Sequence, residues 1–153
     1  MNLYEVLKKL EIPFQEVSHQ AVYTIEEADQ VNIDLDGIEC KNLFLKDKHH
    51  FYLYMLEEHK RADLKVLRKH IGSGPLSFAN EEYLMEKLSL IPGSVTPLGI
   101  INNNSHDVII ILDHDLLDFN VWVHPNVNTK TMSLSCHDLI RFIEFCGNPY
   151  LII

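Results

Sequence analysis

Cys40-Lys41-Asn42-Leu43-Phe44-Leu45 and Phe51-Tyr52-Leu53-Tyr54-Met55-Leu56 are two apolar runs parted by the charged, turn-like residues Lys46 to His50. That arrangement predicts two antiparallel strands, Asn42 to Leu45 and Phe51 to Leu56, joined by a hairpin with a somewhat long loop. A strand holds its side chains still, so Lys41 and Asn42 at its mouth are aimed in a way that loop residues are not. Lys41 is therefore the first candidate for a ligand contact. The other reading is a strand-end lysine whose stem covers apolar surface while its ammonium stays in water. Cys40 is open to two readings as well, a nucleophile activated by its cationic neighbour or a small apolar filler.

Outward from this hairpin the chain alternates helix and strand signals. Leu3, Val6, Leu7 and Leu10 recur at helical spacing and stop before Pro13. Phe14 to Val17 reads as a short strand, and Thr24-Ile25-Glu26-Glu27 is a capping box opening a helix to about Gln30. Asp63 can cap a helix carrying Leu64, Val66 and Leu67, stopped by Gly72 to Pro75. Asn80 can cap the next, with Leu84, Met85 and Leu88 on its apolar side. Val108 to Leu112, Val121 to Val123 and Thr131 to Leu134 read as strands, and Ser135 opens a closing helix with Leu139, Phe142, Ile143 and Cys146 inward. No repeat, linker or low-complexity segment divides the chain, so residues 1–153 are expected to form one α+β domain.

Composition excludes several classes. Apolar residues make up 46% and charged residues 23%, which fits a globular protein. No apolar run reaches the ~18 residues a membrane span needs, and the N-terminal residues lack a signal-peptide core, so a cytoplasmic protein without a membrane partner is expected. The three cysteines, Cys40, Cys136 and Cys146, show no CxxC pattern. A formal charge of −9 argues against DNA or any long duplex as partner. The charge is uneven, however: residues 41–70 hold eight of the 13 Lys and Arg and only four acids. A local basic face on an acidic body suits a partner presenting a few phosphates, such as an RNA end, although a solvated helix face has the same composition.

Three further stretches could carry chemistry. Gly93-Ser94-Val95-Thr96-Pro97-Leu98-Gly99 imposes a tight backbone shape that either aims N–H groups into an anion or oxyanion site or simply connects helix to strand. His124, held extended by Pro125, can orient a hydroxyl or a water, or serve as a hydrogen-bonded structural group. Asp113-His114-Asp115 looks ligand-like, but adjacent residues seldom converge on one metal, and it is expected to end a strand and cap a turn. There is no GxSxG, HExxH, GxxxxGK[ST] or GxGxxG motif.

Taken together, Cys40 to Asp47, Gly93 to Gly99 and His124 to Thr129 resemble the YbaK-like family of prolyl-tRNA editing domains, most closely freestanding members that act on Ala-tRNA(Pro). The resemblance runs from His19-Gln20-Ala21-Val22-Tyr23-Thr24 to the final helix. It implies a YbaK-like fold, a mixed, largely antiparallel sheet packed with helices, and an aminoacyl-tRNA deacylase working in trans on the acceptor end of mischarged tRNA(Pro). Prolyl-tRNA synthetase is a further partner it suggests. No cofactor and no metal are expected.

Residue by residue, Lys41 matches the family lysine expected at the phosphate and ribose of the terminal adenosine, and Asn42 follows it as in the family. Gly93 and Pro97 match the ends of a GxxxP loop whose backbone N–H groups, through Ser94, Val95 and Thr96, would hold the aminoacyl carbonyl. His124 matches the histidine near the terminal ribose, with Asn128 and Thr129 beside it. On this basis Lys41, Gly93, Ser94 and His124 are expected to be catalytic, and Asn42, Val95, Thr96, Pro97 and Asn128 to contact substrate. Val22, Thr24 and Ile25 are expected to line the amino-acid pocket with the Gly93 loop. Removal of cysteine or serine instead of alanine, noncatalytic binding of a tRNA end, and a small-molecule esterase are the rival readings.

Overall fold

In the computed structural model, residues 1–21 and 33–153 are described. The helix expected from Thr24 to Gln30, with Val22, Thr24 and Ile25, lies outside them. The predicted hairpin is the centre of the molecule: β2 (Cys40–Lys46) and β3 (Phe51–Glu57) pair antiparallel in full, from Cys40 opposite Glu57 to Lys46 opposite Phe51. Alternation sends Phe44, Leu53 and Met55 to one core and Leu45, Tyr52, Tyr54 and Leu56 to a second, smaller one on the other face. Asp47 fixes the turn. Its Oδ1 accepts from the N–H groups of His49 and His50 at 2.9 and 2.7 Å, and its Oδ2 from Tyr52 Oη and Gly74 N at 3.0 and 3.2 Å.

β3 continues the sheet through parallel β5 (Val108–Leu112), which in turn pairs parallel with β8 (Tyr150–Ile152). On the other side β2 meets only the two-residue β4 (Ser77–Phe78), at Leu45 and Lys46. Among the described residues, the stretch Lys41 to Leu43 therefore has an open edge. A second sheet, fully antiparallel, runs β1 (Gln15–Ser18), β7 (Lys130–Ser135), β6 (Asn120–Val123). One parallel bridge, Ile38 to Val121, links it to the chain entering β2. Gly37 makes that approach feasible, since it has φ +115° and an added Cβ would lie 2.6 Å from the Asn120 carbonyl oxygen.

Each helix begins where a side-chain oxygen caps it. Asn2 caps α1 (Leu3–Lys9), Asp63 caps α2 (Leu64–Ile71), Asn80 caps α3 (Glu81–Leu88) and Ser135 caps α4 (Cys136–Cys146). α1, α3 and α4 cover the larger core, and α2 covers the smaller one with Leu64, Leu67 and Ile71. Val66 and Met85, expected inward, are exposed because the helix turns Leu67, and Leu84 with Leu88, toward the sheets. The strand expected from Phe14 begins one residue later, with Phe14 in solvent. Asp113 caps a 3₁₀ turn at the end of β5, as its position suggested.

Candidate active site

The glycine-proline loop is a chain of capped turns. Ile91-Pro92-Gly93-Ser94 closes with Ser94 N–H donating to Ile91 O at 3.1 Å, and Gly93 takes φ +91° at the third position, the conformation a type II turn demands there. Ser94 is buried and its hydroxyl donates to the same carbonyl at 2.9 Å. Thr96, fully buried, caps the 3₁₀ helix Pro97–Asn102 by accepting from Leu98 N at 3.3 Å, and Pro97 is buried as its first residue. Ser94, Thr96 and Pro97 thus shape the loop from within. Gly93 and Val95 are the loop residues that line a cleft of about 230 Å³, together with Pro92 and, on the open edge of β2, Asn42, Leu43 and Phe44. The N–H groups of Gly93 and Val95 have no hydrogen-bond partner among the described residues.

β6 delivers His124 beside the start of β2, because the Ile38–Val121 bridge sets the two chains in register and Trp122 N–H donates to Ile38 O at 2.9 Å. His124 Nδ1 lies 3.0 Å from the Lys130 carbonyl oxygen. A carbonyl only accepts, so Nδ1 carries the proton and Nε2 is left as an acceptor. Burial lowers the pKa of this imidazole below the ordinary histidine value, the Lys130 carbonyl opposes that, and nearby His19 adds to the lowering. His124 is therefore neutral at neutral pH. His19 is itself fixed by the Gln20 carbonyl at 2.7 Å and the Thr131 hydroxyl at 2.8 Å.

Three amide atoms near these elements are buried without a partner among the described residues: Asn42 Oδ1, Asn126 Oδ1 and Asn128 Nδ2. Asn126 also takes φ +65°, a left-handed conformation that asparagine tolerates better than most residues. Buried polar atoms are almost always paired in proteins, so these three orphans, beside a fourth at Asn148 Oδ1, make the stretches 40–45 and 124–129 candidates for meeting another molecule's polar groups.

Lys41 pairs with Leu56, whose side chain packs under α2, so the lysine leaves the sheet on that face while Asn42 leaves on the other. Neither Lys41 nor His124 lines the 230 Å³ cleft: Lys41 leaves β2 on the face opposite to Asn42, and the Ile38–Val121 bridge sets His124 near the start of β2 without bringing it into the cleft lining. Burial pushes the Cys40 thiol up to about 12, which leaves the filler reading and removes the nucleophile. The Asp113, His114 and Asp115 ligand atoms do cluster within 4.8 Å. The Lys60 ammonium already sits on that cluster, 2.6 Å from Asp113 and 2.8 Å from Asp115.

With this geometry in hand, residues 19–142 match the model of the aminoacyl-tRNA editing domain. The chain is also 37% identical to the prolyl-tRNA editing protein ProX of Acetoanaerobium sticklandii, over 94% of this chain and 90% of that protein. It belongs to the aminoacyl-tRNA editing domain family, a family of deacylases. A second relative, prolyl-tRNA synthetase associated domain-containing protein 1 of Mus musculus, is 35% identical over 99% of this chain and 94% of its own. In fold, the editing domain superposes with a TM-score of 0.72 on a crystal structure described as a candidate trans-editing enzyme for prolyl tRNA synthetase, at 24% identity and covering 98% of this chain and 94% of that one.

Asn42, Gly93 and Val95 are thus brought together in this editing domain, with His124 delivered to the same end of β2. Asn126 and His19 are residues that sequence reasoning did not single out. The HPNVN run offered one signal for Asn126, an asparagine directly after proline where the chain must turn. No helix among the described residues is long and apolar enough to cross a membrane.

Proposed function

We propose that the editing domain hydrolyses alanine from tRNA(Pro) mischarged with it, acting in trans, and that the acceptor end of tRNA(Pro) is its partner. The observation that supports this reading is a cleft lined both by Asn42 and by a tight turn whose Gly93 and Val95 N–H groups have no partner among the described residues. An aminoacyl ester is already activated, so its hydrolysis needs a placed water and donors aimed at the developing oxyanion, and neither a serine nucleophile nor a metal is required. The relatives' names point to the same chemistry.

Water adds to the ester carbonyl carbon, and the negative charge forming on the carbonyl oxygen is taken by the loop N–H groups. The acyl C–O bond then breaks, releasing alanine and a tRNA whose 3′-oxygen receives the proton given up by the water, with the neighbouring 2′-hydroxyl orienting that water. The neutral His124, with Nε2 as acceptor, holds the 2′-hydroxyl, and Lys41 and Asn42 hold the terminal nucleotide. Asn128 contributes its unpaired Nδ2 to the ribose.

Selectivity follows from size. A cavity for a methyl side chain beside the Gly93 loop rejects the proline ring by steric clash, whereas one methylene gained or lost in an apolar pocket is worth only about 1–3 kcal/mol. The test is a panel of tRNA(Pro) charged with alanine, cysteine, serine or proline, run with chelator present. Rapid release of alanine with proline spared is expected. Release of cysteine or serine with alanine untouched moves the specificity elsewhere in the family, and loss of all turnover on chelation ends the metal-independent mechanism.

A further inference from the structure

The positive charge of this acidic chain is arranged in two ways. Lys60, Lys87, Lys130 and Arg141 each sit within 4.0 Å of a carboxylate, at 2.6, 2.6, 3.7 and 2.9 Å from Asp113, Asp107, Glu16 and Asp138. The other nine of the 13 have no such partner among the described residues, and four of these, Arg61, Lys65, Arg68 and Lys69, are exposed and lie together on α2 and just before it. Acids outnumber Lys and Arg by 22 to 13, so partners for these four are abundant elsewhere on the chain. The acid that caps α2, Asp63, is already turned to the helix N–H groups of Lys65 and Val66.

Their position gives this row a direction. Arg61 follows β3, whose last residue Glu57 pairs with Cys40, so the row starts at the Lys41 end of the sheet. Lys41 also leaves the sheet on the face that α2 covers. From there α2 carries Lys65, Arg68 and Lys69 away, with Lys65 and Lys69 one turn and roughly 6 Å apart along the axis. Leu64, Leu67 and Ile71 hold the helix to the sheet, which keeps the cations outward. Glu57 and Glu58 at the end of β3 repel a phosphate there and confine the favourable path to the helix.

We infer that the outer face of α2, with Arg61, docks the phosphate backbone of the RNA acceptor stem whose 3′ end enters the site; this rests on the reading under Proposed function. Phosphate contacts fix position and supply affinity without reading sequence, so this face sets how tightly a stem is held rather than which tRNA is chosen.

The test titrates salt against binding of a fluorescent RNA hairpin that copies an acceptor stem ending in CCA. The full chain is compared with the triple variant Lys65→Gln, Arg68→Gln, Lys69→Gln, and with a control pair, Lys8→Gln and Lys9→Gln, that removes charge from exposed positions of α1. Glutamine keeps helix propensity close to that of lysine and arginine, and circular dichroism verifies folding. The triple variant is expected to bind roughly 10- to 100-fold more weakly at low salt, with a log–log salt slope shallower by about 2 to 3. In deacylation the loss falls on KM. An unchanged slope, or an equal loss in the control pair, overturns the inference. Binding of polyglutamate that vanishes in the triple variant while the RNA slope stays unchanged also overturns it, assigning the face to an acidic protein. The two readings fail separately. A slope change without deacylation of any charged tRNA leaves the docking face and removes the proposed reaction; deacylation with an unchanged slope does the reverse.

Discussion

Two of the places where this molecule buries polar side chains treat them oppositely. At the Asp47 turn one carboxylate receives four donors, two on each oxygen, and nothing is left unmatched. Around β2's open edge and the 124–129 stretch, three amides keep a buried atom unmatched among the described residues. A satisfied polar group locks a fold, while an unsatisfied one carries a desolvation cost that another molecule can relieve. The first region should therefore answer to mutation in stability and the second in activity.

Lys41→Ala gives the largest separation. Removal of a cation that grips the terminal nucleotide should lower kcat/KM on Ala-tRNA(Pro) by roughly 10²- to 10³-fold. The ammonium is partly exposed and makes no ion pair among the described residues, so the melting temperature should stay within about 2 °C. Retained turnover with a lowered melting temperature would move Lys41 into the scaffold and break the contrast.

Asp47→Ala should show the mirror image: a loss of roughly 2–4 kcal/mol in urea unfolding, with turnover per folded molecule kept. Acid sharpens it. Burial alone would raise the Asp47 pKa, but the donors from His49, His50, Tyr52 and Gly74 outweigh that and hold it at about 2, below the ordinary carboxyl value of 3.8. Its contribution is complete above the unfolded pKa and is lost as pH falls from near 3.8 through about 2, where the unfolded chain binds the extra proton. The variant should accordingly lose its stability difference from the parent over that window. A difference that persists at pH 2 would mean that packing, not the charged carboxylate, holds the turn.

His124 bears on activity through pH. Its pKa lies below the ordinary 6.5, chiefly through burial, so the neutral form that Nε2 needs as acceptor persists to mildly acidic pH. The rate should be level above pH 6.5 and decline at lower pH, about tenfold per unit once the imidazole is charged, and His124→Gln should remove that decline along with most of the activity. The same shift has a smaller effect on stability: as pH falls below 6.5 the unfolded chain takes the proton first, so stability drops in the same direction. An acid limb unchanged in the glutamine variant would assign the titration to another group.

Much of this scaffold was legible because its signals are local. The hairpin follows from two apolar runs around Asp47, and Asp63, Asn80 and Ser135 announce helices through side-chain oxygens that have one good use at those positions. β4 and β8 escaped because strands of two and three residues with exposed side chains carry no period to read. Asn148 steers the chain into β8 through bonds to Asn103 and Val108, contacts 45 and 40 residues away in sequence. In the site, the need for a glycine at position 93 could be read from the turn chemistry, Lys41, Asn42 and His124 stood out by their strand-end positions, and motif resemblance supplied their roles. That Ser94 and Thr96 face inward could not be read, since both hydroxyls find their partners only once the loop has closed.

Asn126 offers the finest test, because scaffold and site predict opposite signs at one residue. Its φ of +65° strains any residue with a Cβ, though asparagine less than most, and its Oδ1 is buried without a partner among the described residues. Asn126→Gly removes the strain and the unsatisfied carbonyl, so stability should rise by about 1 kcal/mol in urea unfolding. If that oxygen is kept to meet a donor on the bound nucleotide, the same variant should bind substrate several-fold more weakly, seen as a higher KM with kcat little changed. A protein that becomes more stable and binds less well has given up a contact held open for its ligand. One that becomes more stable and binds equally well shows that this orphan belongs to the turn, and confines the open surface to Asn42 and Asn128.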